Sequence, residues 1–436
     1  MVGKFAGTSA ASIGVVFFTF LSGVLVARML GPEARGEYGS ILLIALTATP
    51  LASLSYFDGV VVSLRSGART STEDLPAVIP SGLLVASFLT LIVGVSLAIL
   101  LPFLGLTLIE VSNANFLLIS VAIAATTFVS SVFISIERSM LRFDRFNLSR
   151  LLSPALYSML LLLFWTVARD RINVATALWL FIIAKTPIIF VWAWVFRKRL
   201  LSRLDPRFAR RAGAAGLRLH IAPALTVLAG SMDRLIGVAA WDNAVLGQYF
   251  VAFSAVGAGI GVISSSLSAI LLPYLSATPK SQRPVRISRL LRLTFLASAM
   301  FVAVGFVVLP IVIPLFYGQA FAPSVRFALF MLVAMSIQPL RVVVLEASRS
   351  LGAAMPSTVI ALTSIAVLWV GYFLTGYRDP VLLIVFLGLA NLSSTVIGAW
   401  NLHRDADLKF DRSILPTLDD AVLFRSLFFR SKGSGE

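Results

Sequence analysis

The sequence predicts an all-α integral membrane protein of about twelve transmembrane helices, in two six-helix lobes related by a parallel pseudo-twofold axis. Three observations predict it. The 436 residues are 58% hydrophobic and 13% charged, with a mean hydropathy of +0.94, whereas soluble domains carry about 25% charged residues. Apolar runs long enough to cross ~30 Å of hydrocarbon as helices recur along the whole chain, and the ~10-residue alternation of a barrel is absent. The two halves of the chain also repeat one another weakly.

The runs place helices at 8–30, 38–62, 78–101, 115–136, 151–168, 174–196, 219–241, 245–272, 293–316, 325–346, 357–375 and 381–401. The first follows MVGK and is too long for a signal-peptide core, so it reads as an uncleaved helix. With the N-terminus inside, 27 of the 36 Lys and Arg residues fall in inner loops and tails. Six (Arg28, Arg35, Arg169, Arg171, Arg326, Arg378) fall in outer loops, and Lys185, Arg234 and Arg341 lie within spans. This bias places both termini in the cytoplasm of a multi-pass cell (inner) membrane protein. One helix more or fewer would scramble it. The net charge of +16 is thereby explained as orientation. Nucleic acid is excluded as a partner, because the basic residues lack interleaved stacking aromatics.

The repeat is anchored by Gly36-Glu37-Tyr38 and Gly247-Gln248-Tyr249, offset by 211 residues. Each follows a helix end and a short polar turn. An even number of helices per half gives a parallel repeat. The expected organisation is 1–196 for the first lobe, 197–218 for a linker with eight basic residues, 219–402 for the second lobe and 403–436 for a cytoplasmic tail. The linker reads as an inner loop, with an amphipathic helix on anionic lipid as its structured form.

Chemistry-bearing motifs are missing. Without cysteine there is no thiolate chemistry. His220 and His403 lie at span edges, and no phosphate-binding loop, zinc-protease helix or nucleophile elbow occurs. Outer loops are too short for an external catalytic domain, and Asp419-Asp420 reads as solvated tail. The expectation is no enzyme, no cofactor and no metal. What remains is charge inside the membrane, which is costly and a functional-site signal by default. Asp233 and Arg234 fall near the middle of the seventh helix, Lys185 opens Lys-Thr-Pro in the sixth, and Arg341 follows Gln338-Pro339 in the tenth, each proline able to kink its helix. Asp58 lies near an end of the second. Adjacent helical residues point about 100° apart, so Asp233 and Arg234 are expected not to face each other. Two readings stand. In one, the charges form a structural pair between helices that fixes the packing. In the other, Arg234 faces a wet cavity and meets an anion such as a phosphate or pyrophosphate, with Asp233 orienting it or pairing with Lys185 or Arg341. The eighth helix, with Gly257, Gly261 and serines at 264–266, reads as a closely packed interface.

The segment VARMLGPEARGEYGSI (26–41), DRLIGVAAWDNAVLGQYFVA (233–252) half a chain later, LFYGQAFAPS (315–324), Gln338 and SLGAAMPS (350–357) together resemble the Wzx-type polysaccharide biosynthesis flippases of the multidrug/oligosaccharidyl-lipid/polysaccharide exporter superfamily. The likeness covers about residues 3–401. It implies two six-helix lobes around a cavity that opens alternately to each side. It implies a polyprenyl-diphosphate-linked oligosaccharide moved to the outer leaflet, with membrane lipids, a polysaccharide polymerase and export machinery as partners. Gly31, Pro32, Gly36 and Tyr38 match its first turn, and Asp233, Arg234, Gly247 and Tyr249 its second, the turn residues being structural. Lipid II flippases of that superfamily carry cations in the first helix, whereas 13–27 is uncharged here, and their two extra helices are missing. Cation-coupled drug exporters carry a membrane acid in the first lobe, for which Asp58 is the only candidate. A secondary exporter of small molecules is the alternative, and a membrane glycosyltransferase or polymerase the third reading.

Overall fold

The computed structural model describes residues 2–66, 75–103, 113–140, 142–168, 172–200, 202, 204–351, 355–376 and 379–405. The Asp419-Asp420 pair, most of the tail, and Arg169, Arg171 and Arg378 lie outside them. The described residues are helical, without strands. In the first half run α1 (Val2–Ala52), α2 (Tyr56–Ser66), α3 (Leu75–Phe103), α4 (Asn113–Ser139), α5 (Phe143–Val167), α6 (Val174–Val195) and the short α7 (Arg197–Leu200). In the second run α8 (Pro206–Ala240), α9 (Asn243–Ala277), α10 (Arg283–Val312), α11 (Ser324–Met335), α12 (Gln338–Ser350), α13 (Met355–Thr375) and α14 (Pro380–Asp405). Among the described residues, eleven stretches are long and apolar enough to cross a bilayer, and one of them, within α1, is a pair.

That pair is made by Gly31, whose φ of 76° suits glycine. Pro32 follows, with its φ preset for a first helical turn and no N–H to satisfy. The chain reverses there. The Gly14 and Phe18 backbone sits against Leu151 and Ser158 on the way out, and Tyr38 meets Tyr157 at the same depth on the way back. Counting α1 twice recovers twelve crossings. Because the new helix starts at once, no polar turn separates residue 31 from Tyr38, and Arg35 is buried at 7% exposure rather than lying in an outer loop.

Two further expectations are corrected. The second predicted helix breaks at 53–55, where Leu54 and Ser55 take positive φ, so residues 56–66 form the separate α2. The tenth, one apolar stretch over Ser324–Ser350, is interrupted at Ser336–Ile337 between α11 and α12, where φ and ψ stay right-handed helical and Pro339 withdraws a backbone donor. The basic segment 197–218, expected as an inner loop with an amphipathic helix on lipid, is largely the start of α8 packed on protein. Asp205 caps α8 by accepting from Arg207 N and Phe208 N at 2.8 and 3.1 Å, and the helix runs unbroken to Ala240. Its Phe208, Ala212 and Gly216 are buried, and both Phe208 and Ala212 belong to the core around α2, α3 and α4.

The pseudo-twofold axis is visible as a reciprocal contact. A Cβ on Gly36 would lie 1.8 Å from the Asn243 carbonyl oxygen, and one on Gly247 would lie 1.8 Å from that of Pro32. Positions 32 and 36 are related to 243 and 247 by the same offset of 211. Self-complementary contacts of this kind are the mark of a twofold. The two glycines let α1 and α9 touch backbone to backbone at the turn end of the bundle. Val24, Ala27 and Leu43 of α1 share one core with α8–α14 residues, while Leu25, Val26, Ile41 and Ala45 pack with α4, α5 and α6. α1 is therefore the seam between the lobes. Large apolar side chains face outward, among them Phe88, Phe190 and Phe373 at 61%, 72% and 79% exposure, as lipid contact requires.

Candidate functional site: a cavity at the lobe interface

Below the turn-end contact, α1 and α9 part. A cavity of about 380 Å³ opens between them, lined by Val16, Thr19 and Phe20 of the first lobe and by Phe253, Gly257, Gly261 and Ser264 of the second. Met335 and Gln338, either side of the α11–α12 break, complete the wall. Gly257 and Gly261 were expected to bring helices together. Nothing lies within 4 Å of a Cβ on Gly261, and the atoms nearest one on Gly257 are 3.9 and 4.0 Å away. These glycines leave room instead. On the far side of the break, Ala334 and Ile337 line a second, wholly apolar groove of about 540 Å³ with Phe306, Phe330, Leu389 and Leu392.

Arg234 is not itself among the lining residues but packs on one of them, Phe253. Its guanidinium carbon is 4.0 Å from the centroid of Phe253, a cation–π distance, and the side chain is 18% exposed. It donates to the Gly230 carbonyl on its own helix. Asp233 is 2% exposed. Tyr249 donates to its Oδ2 at 2.9 Å, and Arg234 Nε lies 3.6 Å from its Oδ1. The expectation that the adjacent charges would not meet is thus corrected. The long arginine stem folds back along α8 and spans the 100° between them. Asp233 is paired with Arg234 and Tyr249, not with Lys185 or Arg341.

The other predicted cations are not gathered beside Arg234. Lys185 on α6 donates to Thr127 Oγ1 at 2.8 Å and lies 4.7 Å over the Phe181 ring, within the first lobe. Arg341 on α12 reaches Asn391 Oδ1 at 3.4 Å, and Asn391 in turn donates to the Ala334 carbonyl at 3.0 Å. Arg341 therefore braces the helix break. Asp58 is 3.0 Å from Arg138 with both side chains about half exposed (43% and 51%), so it is a surface pair and not a cavity acid. Of the turn residues, Gly31 reverses the chain, Pro32, Gly36 and Gly247 make the seam, Tyr38 bonds the Tyr157 hydroxyl at 2.9 Å, and Tyr249 holds Asp233.

The symmetry is broken where the charge sits. The first-lobe counterparts of Asp233 and Arg234, by the 211 offset, are Ser22 and Gly23. Arg35, whose counterpart is Leu246, is the buried cation that reading the sequence missed. The Gly31-Pro32 pair was the signal, since a proline after glycine starts a helix within one turn.

No family model matches the sequence, and no curated protein matches it. Solved structures do match. The chain is similar to an inward-facing multidrug-resistance MATE transporter of the MOP superfamily, with TM-score 0.66, 15% identity and coverage of 92% of this chain and 96% of that one. It is similar to the lipid II flippase MurJ in an inward closed conformation, with TM-score 0.69, 12% identity and coverage of 97% and 98%. A MOP transporter from Pyrococcus furiosus, described as having a binding pocket of reversed polarity, matches at 0.63, 16% identity and coverage of 93% and 95%. The fold is that of these transporters.

Proposed function

We propose that the protein is a membrane flippase. It moves a polyprenyl-diphosphate-linked oligosaccharide from the cytoplasmic to the outer leaflet for surface polysaccharide biosynthesis, by alternating access of the lobe-interface cavity. Arg234 carries the reading. It is a cation oriented by a buried carboxylate and held on Phe253, whose ring lines a cavity between two lobes of a transporter fold. A guanidinium in a low-dielectric site favours an anion with paired oxygens, which a diphosphate supplies. The 335–338 segment divides the cavity from a purely apolar groove. That division suits a substrate whose polar head is wet and whose lipid tail stays outside. No covalent step is required, in keeping with the missing enzyme motifs. The likeness to MATE exporters favours one alternative, a secondary exporter of small molecules.

The test is the lipid-linked saccharide pool in cells lacking the protein. Complete units should accumulate on the inner leaflet, and an Arg234→Ala protein, present at normal abundance, should leave them there, with translocation down tenfold or more for about 1.4 kcal/mol of lost anion binding. Arg341→Ala should give a partial loss. An unchanged pool with altered drug tolerance would favour the exporter, and truncated units an enzyme.

A further inference from the structure

Arg35 lies on the returning half of α1, and its guanidinium takes part in no ion pair among the described residues. Its Nε is buried without a hydrogen-bond partner. Around it are rings: Tyr38 at 5.3 Å and Phe250 at 5.9 Å. The Tyr317 hydroxyl, 1% exposed, is equally without a partner. Buried charges are ordinarily paired, so a guanidinium nitrogen and a phenol left without partners, within electrostatic range of each other, describe a donor set lacking its acceptor.

Its position relates it to Arg234. Phe250 and Phe253 stand three residues apart on α9, about 4.5 Å along the axis. Arg35 stacks on the first and Arg234 on the second, so the two cations form successive steps on one face of one helix. An aromatic plug adjoins the cavity. Phe20, which lines the cavity, meets Phe316 and Tyr317 edge-on at 6.3 and 5.9 Å. Arg28 shuts the plug from the turn side by donating to the carbonyls of Leu315 and of Phe316, the latter at 2.6 Å. Arg35 and Tyr38 belong to the first lobe, Phe250 and Tyr317 to the second. The set is sealed while the lobes touch at the turn end and is bared when they part.

We propose that Arg35, with the Tyr317 hydroxyl, is a second oxyanion site, one helical turn beyond Arg234, that takes a phosphate or diphosphate group when the turn end opens. The inference rests on Arg234 being the first such site. A substrate diphosphate released by Arg234 then meets another cation one step along instead of an apolar barrier, and its binding holds the turn end open.

The chain has no cysteine, so a single reporter reads the opening. Val24, 6% exposed and packed in the seam core, becomes Val24→Cys, and its rate of maleimide labelling is measured on the full chain in detergent with and without inorganic diphosphate. Diphosphate should raise the rate about fivefold or more, the ordinary size of such coupling. It should not do so with Arg35→Met, which keeps the stem and removes the charge. Arg35→Lys and Tyr317→Phe should respond partially, and they decide the matter if Arg35→Met is labelled fully without diphosphate because it is unfolded. Arg234→Ala should retain the response. No response with Arg35 present, or an equal one after Arg35→Met, overturns the site. If diphosphate opens Val24 through Arg35 while no lipid-linked saccharide moves, the site stands and the flippase reading falls. If transport is intact and the response absent, the site alone falls.

Discussion

Asp233 shows how far a residue's role depends on one neighbour. A carboxylate at 2% exposure would be costly without donors. It has one in Tyr249 at 2.9 Å and a counter-charge in Arg234 at 3.6 Å. Tyr249 was read as a turn residue, yet its ring also packs on Trp241 at 5.1 Å. Tyr249→Phe should remove one hydrogen bond to a charged acceptor, worth about 1–3 kcal/mol, and lower the thermal unfolding temperature in detergent. It should also slow transport, because Arg234 loses the fixed carboxylate that orients it. An unchanged unfolding temperature would mean that Asp233 is satisfied without Tyr249. The sequence placed both charges in the membrane. It did not show that they touch, since a helical wheel fixes where Cβ points and not where a four-bond stem ends.

Among elements, the α1–α9 seam is the most constrained. Gly36 and Gly247 meet backbone, which cannot yield as a side-chain tip can. Gly36→Ala should therefore force the helices apart at a cost of about 1–3 kcal/mol. The protein should remain abundant, while Val24→Cys labelling rises about fivefold or more by the same energy. Gly23→Ala is the control, because nothing lies within 4 Å of a Cβ there, and it should leave labelling unchanged. Equal effects of the two would show that helix propensity, and not the seam, is being measured. Helix existence was legible in the apolar runs, because a bilayer demands ~20 apolar residues whatever the fold. The break at 53–55 was not, because apolar composition is blind to a local change of φ and ψ, whereas the interruption at 336–337 was marked by Pro339. The basic start of α8 was hidden for the opposite reason, its charges masking the buried stripe of Phe208, Ala212 and Gly216.

At the scale of the whole molecule, the lobes are held at the turn end by the seam, the aromatic plug and Arg28. Carbonyls at a helix C-terminus lack intrahelical partners, and Arg28 of one lobe satisfies two of them in the other. Arg28→Gln should weaken this clasp by about 0.5–1.5 kcal/mol, shifting the population toward the turn-end-open form by ~2- to ~10-fold. Val24→Cys labelling should rise accordingly, with transport speeded if opening limits it and unaltered if release at the other end does. Unchanged labelling would mean that Arg28 rides on the surface without holding the lobes.

By itself the sequence determined that this chain is an all-helical membrane protein of about twelve crossings, that it is built as a repeat, and where charge enters the membrane. These follow from solvent: hydrocarbon tolerates only helices or barrels and penalises each charge by type and depth. Only the tertiary structure decided which charges share a wall. Lys185, Arg341 and Asp58 went to separate partners, Asp233 stayed with Arg234, and Arg35, assigned by its sequence position to a loop, was buried between the lobes. The reason is that pairing depends on distances of a few ångströms between elements far apart in the chain, and those are set by how α1 and α9 cross at two glycines.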